Sequence, residues 1–216
     1  MSGNVGKKEW GQTMAEMKNV DSDWARCVAF HGHECPGLAI GFQAAQAGLA
    51  WIEAIRAKDE DIVAIVENDA CGVDAVQVLT GCTFGKGNLI HLDHGKQVFT
   101  FFNRDKNRGA RFSLRAGAIT SDDRYHNLML RVRDGQATPK EQSELTEHYA
   151  NTMKTILSKS VEELFVVSEP MFSLPDKARI QQSSLCPICG EPTMAEKMVD
   201  IDGRHLCRPC ANTMAC

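Results

Sequence analysis

Residues 97–114 read QVFTFFNRDKNRGARFSL and decide the fold class. Gln97–Phe102 combines aromatic and β-branched residues, which are typical of a strand, and Arg111–Leu114 is a second strand candidate. Asn107–Gly109 supplies turn-forming residues between them. The stretch therefore predicts two neighbouring strands joined by a short turn.

The flanking segments extend this pattern in both directions. A Gly-containing turn at Asp93–Lys96 joins the strand candidate Leu89–Leu92 to the first stretch, while Asp61–Glu67 (DIVAIVE) is typical of a buried strand and Leu164–Val167 adds one more. Hairpin-length turns separate most strands and helices gather at either end, which favours an α+β fold over a parallel βαβ sheet. We expect a mostly antiparallel sheet with flanking helices.

Capping and breaking residues locate the helices. A first helix can begin at Asp21 or Ser22 and end at Gly32. Pro36 suits the first turn of a second helix, which we expect to extend to about Lys58. The remaining helix predictions are Cys71–Leu79, closed by Gly81, and Pro139–Lys159, capped by Thr138.

Composition limits the classes of function. The formal net charge of −4 over 216 residues gives no overall attraction for nucleic acid or an anionic membrane. No export signal is visible, and the most apolar stretch, Pro36–Ile52, is short for a bilayer span. We therefore expect a cytoplasmic protein without a membrane partner. In a reducing compartment its nine cysteines are more often metal ligands or reactive groups than disulfides.

Two C-x₂-C pairs near the end of the chain predict a zinc site. They are Cys186–Cys189 and Cys207–Cys210, separated by the seventeen residues from 190 to 206. Such pairs converge on one metal, and four thiolates leave no open position, which marks a structural site. Two disulfides or four free thiols are the alternatives. Asp202–Gly203 is a strong hairpin turn within the spacer and supports the zinc finger.

The finger implies two domains. We expect a core domain over residues 1–180 and the zinc finger over residues 181–216, with Pro170–Ser184 as a linker. His205 falls outside the ligand pattern, so we expect it on the surface of the hairpin.

A second group of thiols and imidazoles lies in the core. His31, His33 and Cys35 fall between two predicted helices, and Cys35 immediately precedes Pro36. A thiol at a helix start meets unpaired N–H groups that favour the thiolate. Cys71 begins another helix after a buried strand.

Three interpretations of this group remain open. His33, Cys35 and Cys71 can form an open metal site, with His31 and Cys82 as further candidate ligands. Cys35 and a histidine can instead form a nucleophile–base pair. The cysteines can also be small buried residues without chemistry. A metal held by thiolate and imidazole would be Zn²⁺ or another borderline or soft ion.

Two further patterns have structural interpretations. Gly81–Gly87 (GCTFGKG) resembles a phosphate-binding loop but has one residue too few and lacks the Ser or Thr that holds Mg²⁺, so we expect a turn. The second helix carries Gly41, Ala45 and Gly48, small residues that let another backbone approach. A tightly packed core helix is the simpler expectation, and a dimer contact is the alternative.

The segments HGHECPGLAIG (31–41) and CGVDAVQVLTGCTFGKGNL (71–89), with the four-cysteine module, resemble the FmdE family, whose members are associated with formylmethanofuran dehydrogenase. The similarity covers most of residues 20–170. It implies an α+β core, an intertwined homodimer, and association with the other subunits of an enzyme that reduces CO₂ onto methanofuran in methanogenesis. The resemblance also implies a treble-clef form for the finger, and it matches the family's motif residues to His33, Cys35, Cys71 and Cys82.

These features lead to one functional expectation and two alternatives. The first is a metal-binding accessory protein of that dehydrogenase, with a core site and a structural zinc finger. The second is a metal sensor or transcription-related regulator that uses the finger for protein or nucleic-acid contacts; the balanced charge of the finger disfavours nucleic acid. The third is a thiol-dependent enzyme acting at Cys35.

Overall fold

The computed structural model describes residues 14–119, 123–177 and 182–214. The chain divides into two compact units, Met1–Lys177 and Ala178–Cys216. The boundary expected from sequence falls among residues 178–181, which lie outside the described residues. Among the described helices, none is long and apolar enough to cross a membrane.

The first unit contains a five-stranded sheet. Its strands are β1 (Ile62–Val66), β2 (Leu89–His91), β3 (Val98–Asn103), β4 (Arg108–Leu114) and β5 (Phe165–Ser168), in the order β2-β1-β3-β4-β5. Every neighbouring pair is antiparallel except β1 and β2, which are parallel. The predicted α+β fold with a mostly antiparallel sheet is confirmed.

One predicted hairpin is wrong. The strand Leu89–Leu92 does not pair with the strand that follows it, because β1 lies between β2 and β3. The intervening segment instead bonds to the carboxyl end of β1: Leu92 N–H donates to Val66 O and Lys96 N–H donates to Glu67 O, both at 2.9 Å. These bonds hold β2 beside β1, so the chain from β1 to β2 forms a single parallel crossover in the sheet.

The helices of the first unit are α1 (Met14–His31), α2 (Pro36–Trp51), α3 (Gly72–Thr80), α4 (Asp123–Arg133), α5 (Pro139–Ser158) and the short α6 (Val161–Leu164). The first begins earlier than expected, and α4 was not predicted. The second ends seven residues before Lys58, because Glu53 has a positive φ of 51° and the chain turns so that Ala57 N–H donates to Thr80 O at 2.7 Å. Thr138 caps α5 as expected.

Both faces of the sheet are covered. Ile62, Ala64 and Val66 of β1 pack in the main core, while Val63 and Ile65 pack on the opposite face against Leu174 and other apolar residues. All five residues of β1 are buried, which explains the continuous apolar run in its sequence.

Helices α2 and α3 touch through glycine. A Cβ at Gly41 would lie 2.0 Å from the carbonyl oxygen of Gly72, so only glycine permits this approach. The small residues of α2 therefore serve a contact within the chain, and Gly48 similarly makes room for the ring of Phe101.

The second unit consists of two small hairpins and a helix. Strands β6 (Ser183–Leu185) and β7 (Pro192–Met194) pair, as do β8 (Val199–Ile201) and β9 (Arg204–Leu206), and α7 (Arg208–Met214) follows. Asp202 and Gly203 have φ values of 51° and 75°, as the predicted turn requires. Its buried cluster consists of Cys186, Leu206, Cys207 and Ala211.

Candidate metal centres

The four cysteines of the second unit converge. The sulfur atoms of Cys186, Cys189, Cys207 and Cys210 all lie within 4.8 Å of one another. The first pair comes from the turn between β6 and β7, and the second from the end of β9 and the first turn of α7. The four sulfurs fit a tetrahedral metal with no open position. His205 is exposed and outside this group, as expected.

The electrostatics of this site favour a bound cation. The backbone N–H groups of Cys189, Cys207 and Ile188 lower the pKa of the Cys186 thiol to about 6. In contrast, hydrogen bonding with Cys207, together with burial, raises the pKa of Cys210 to about 12. Without a metal the protein thus stabilises one thiolate but resists further negative charge. A divalent cation removes that resistance.

A second group of metal-ligating side chains forms where three helix ends meet. His31 is the last residue of α1, Cys35 is the N-cap of α2, and Cys71 is the N-cap of α3. One donor atom from each lies within 4.8 Å of the other two. Two thiols and one imidazole suit Zn²⁺ or a similar borderline ion, and three protein ligands leave a fourth position open.

Asp74 orients the imidazole in this group. Nδ1 of His31 lies 2.7 Å from Oδ2 of Asp74, and Nε2 lies 3.7 Å from Sγ of Cys35. Gln77 donates to the other carboxylate oxygen of Asp74 at 3.3 Å. A metal-binding histidine usually bonds a carboxylate through its second nitrogen, which fixes the ring and its tautomer. The His31–Asp74 pair has this arrangement.

A glycine lets the two core thiols approach each other. A Cβ added to Gly37 would lie 3.2 Å from Cβ of Cys71, 3.7 Å from its sulfur, and 3.9 Å from the sulfur of Cys35. Any larger residue in the first turn of α2 would therefore crowd the space between the ligands. The spacing of the motif reflects this geometry as well as the ligands themselves.

The expected thiolate at Cys35 is a correction. Leu38 N–H donates to its sulfur at 3.3 Å, as a helix start predicts. Burial nevertheless outweighs that bond and raises the pKa of Cys35 above its ordinary value, and the neighbouring Cys71 raises it further. In the metal-free protein Cys35 is thus a protonated thiol, which disfavours a role as an isolated nucleophile.

Tyr149 of α5 is a neighbour of the site that the sequence did not mark. Burial raises the pKa of its phenol, and the negative charge of Cys35 and Cys71 adds to this effect. Its position on the apolar side of α5 is the signal that concealed it, because tyrosine in such a pattern is typical of packing.

Three other expected neighbours lie elsewhere. His33 is not among the grouped ligands: Gly32, with φ of 93°, turns the chain after α1, and the exposed imidazole of His33 packs against His31 at 4.5 Å between ring centroids. Cys82 is fully buried, and its thiol donates to Ile62 O at 3.5 Å. Glu67 is buried and pairs with Arg111 and His94.

Two segments that carry the core site lie within a region shared with known proteins. Residues 30–166 match the family model described as "FmdE, Molybdenum formylmethanofuran dehydrogenase operon". The chain belongs to the FmdE family. Membership covers the convergent residues His31, Cys35 and Cys71, whereas the four-cysteine unit lies outside the matched range.

Two relatives give further context. The chain is 31% identical over 198 residues to a probable S-adenosyl-L-methionine-binding protein of Archaeoglobus fulgidus; the match covers 87% of this chain and 52% of that protein. The chain thus spans about half the length of the curated relative. A crystal structure of an FmdE-like protein of tungsten formylmethanofuran dehydrogenase from Syntrophus aciditrophicus matches with a TM-score of 0.56 at 23% identity, over 90% of this chain and 92% of that one. This similarity shows a shared fold.

Proposed function

We propose that this FmdE-family chain is a metal-binding accessory protein with two different sites. The four cysteines form a closed structural zinc site. His31, Cys35 and Cys71 form an open site in the core that holds a second metal, Zn²⁺ or a similar borderline ion.

One observation carries this proposal. The imidazole of His31 is held between a carboxylate at 2.7 Å and a thiol at 3.7 Å, with a second thiol in the same group. A simple packing role does not require a histidine in this orientation, whereas a metal ligand does. A bound metal would act as a Lewis acid at the open position. The chain's own groups would hold the imidazole and surround that position.

The finger fits a treble-clef zinc module. A cysteine-bearing turn, a hairpin and a short helix that carries the last ligand follow one another in the order this form requires. We also propose, from the family, that the core associates with itself and with subunits of formylmethanofuran dehydrogenase in an organism with methanogenic or related metabolism. Phe30 and Ile55 are 59% and 82% exposed and could contribute to such contacts. Light scattering at micromolar concentration tests the homodimer, and a monomer contradicts it.

Metal content of purified variants tests the two-site proposal. The full chain should hold two metal ions, and Cys71→Ser and Cys189→Ser should each hold one, lost from the core and the finger respectively. Cys82→Ser is the matched control, because Cys82 is a buried thiol outside both groups, and it should retain both ions. A wild-type chain with one ion, unaffected by Cys71→Ser, would contradict the core site.

A further inference from the structure

The core site borders a cavity of about 380 Å³. His31, Cys71 and Asp74 lie in its wall, together with Asn68, Phe84 and His91. Since liquid water occupies about 30 Å³ per molecule, the space corresponds to about a dozen waters. A small organic molecule could therefore occupy it beside the metal.

His91 supplies an unused polar atom in this wall. It ends β2, and within the described residues its Nε2 atom is buried without a hydrogen-bond partner. A buried polar atom without a partner has an energetic cost, which a bound ligand can remove. His31 and His91 both line the cavity, so one ligand can meet the metal and this nitrogen together.

The charges of the wall select the class of ligand. Asp69 and Asp74 line the cavity, and no lysine or arginine is among the described residues that do so. A divalent ion bound by two thiolates and a neutral imidazole carries no net charge, so the cavity stays acidic after the metal binds. Phosphates and carboxylates are thus disfavoured, while amines are favoured.

The metal ligands and Phe84 complete the description. A metal with two thiolate ligands readily accepts a third soft donor such as a thiol or an aromatic nitrogen. The Phe84 ring is 67% exposed in the structure and gives the wall an apolar surface.

We propose that this cavity binds a small cationic or neutral molecule whose thiol or aromatic nitrogen takes the open metal position while a polar group bonds Nε2 of His91. The inference depends on the core metal site proposed above. It differs from it by assigning a ligand class and a recognition residue.

Two thiols of equal length and opposite charge, cysteamine and 3-mercaptopropionate, probe the assignment. Each is titrated into the Co²⁺-loaded full chain, and binding is followed by visible absorption. The finger has no open position, so only the core site responds. Because the two thiols differ in their own acidity, the readout is the ratio of their dissociation constants in the wild type and in Asp69→Asn.

The wild type should favour cysteamine, and Asp69→Asn should reduce that preference roughly fivefold. His91→Phe keeps an aromatic ring but removes Nε2, and it should weaken cysteamine binding roughly tenfold. His126→Phe, on the exposed surface of α4 and outside the cavity, is the matched control and should leave it unchanged.

The outcomes separate the two proposals. If the Co²⁺ spectra of the wild type and Cys71→Ser agree before any thiol is added, the core metal site itself is wrong. If those spectra differ but the ratio is unaltered by Asp69→Asn, or neither thiol binds, the ligand assignment is overturned. Should His91→Phe fail to fold, the Asp69→Asn ratio still decides the question.

Discussion

The two metal centres obtain their geometry in opposite ways. The finger's ligands belong to a unit whose buried cluster contains only four residues, two of them ligands. The core's ligands lie at three helix ends that pack against a large apolar core. The comparison teaches that a metal can fold a small module but merely occupies a site that helix packing has already built.

The largest expected effect is loss of the finger in Cys189→Ser. Structural zinc supplies roughly 10–16 kcal/mol to small modules, far more than this unit's buried cluster can replace. Limited proteolysis should cleave residues 182–214 rapidly, while the core keeps its cooperative thermal transition. The control His205→Ser removes an exposed imidazole next to the site and should leave both zinc content and protease resistance unchanged. A finger that resists protease without zinc would break the comparison.

The core should instead respond to packing. Gly41→Leu places carbon atoms where the backbone of Gly72 already lies. We expect it to destabilise the core by about 3 kcal/mol or more, even with metal absent, because overpacking acts on the protein fold. Chemical denaturation of the metal-free protein provides the measurement. Gly85→Ala, where an added Cβ meets nothing within 4 Å, should cost much less; equal losses would contradict the argument.

Asp74→Asn should separate metal affinity from folding. The amide keeps the volume but loses the charge that orients His31, and removing such a carboxylate typically reduces metal affinity about 10- to 100-fold. Competition with a chelator measures this, and the unfolding midpoint of the metal-free protein should barely change. Asp69→Asn alters the same cavity without touching His31, so its metal affinity should stay close to that of the wild type. Equal affinities in all three proteins would remove Asp74 from the site.

The smallest effect concerns the reactivity of Cys35. Burial raises the pKa of this thiol above its ordinary value of 9.0, so less thiolate is present at any given pH. In the metal-free protein its alkylation rate should keep rising as pH passes 9.0. Mass spectrometry of the labelled peptide gives the rate, and the denatured chain provides the reference. An inflection below that of the denatured chain would mean that the N–H of Leu38 outweighs burial.

Sequence predicted the parts of each site that local spacing determines. The finger follows from two short motifs, and Cys35 was correctly placed at a helix start because Pro36 follows it. The choice between His31 and His33 was wrong because it depends on the residue at which α1 ends and on the turn at Gly32. That endpoint depends on tertiary packing, which spacing does not reveal.

Long-range features were beyond the sequence argument. Asp74 lies 43 residues from His31, and nothing local pairs them. The parallel β1–β2 pair was missed because a turn-like segment at Asp93–Lys96 suggested a hairpin, whereas its hydrogen bonds go to the end of β1. Cys35 was correctly placed but its ionisation was wrong, since burial depends on neighbours distant along the chain.

The order of the ligands along the chain affects synthesis. Asp74, the last residue that holds the core imidazole, precedes Cys186, the first ligand of the finger, by 112 residues (186 minus 74). At roughly 5–20 residues per second, a ribosome needs about 6 to 22 seconds to cover that distance. The nascent chain therefore presents every ligand of the core before any ligand of the finger exists, and scarce metal meets the core first.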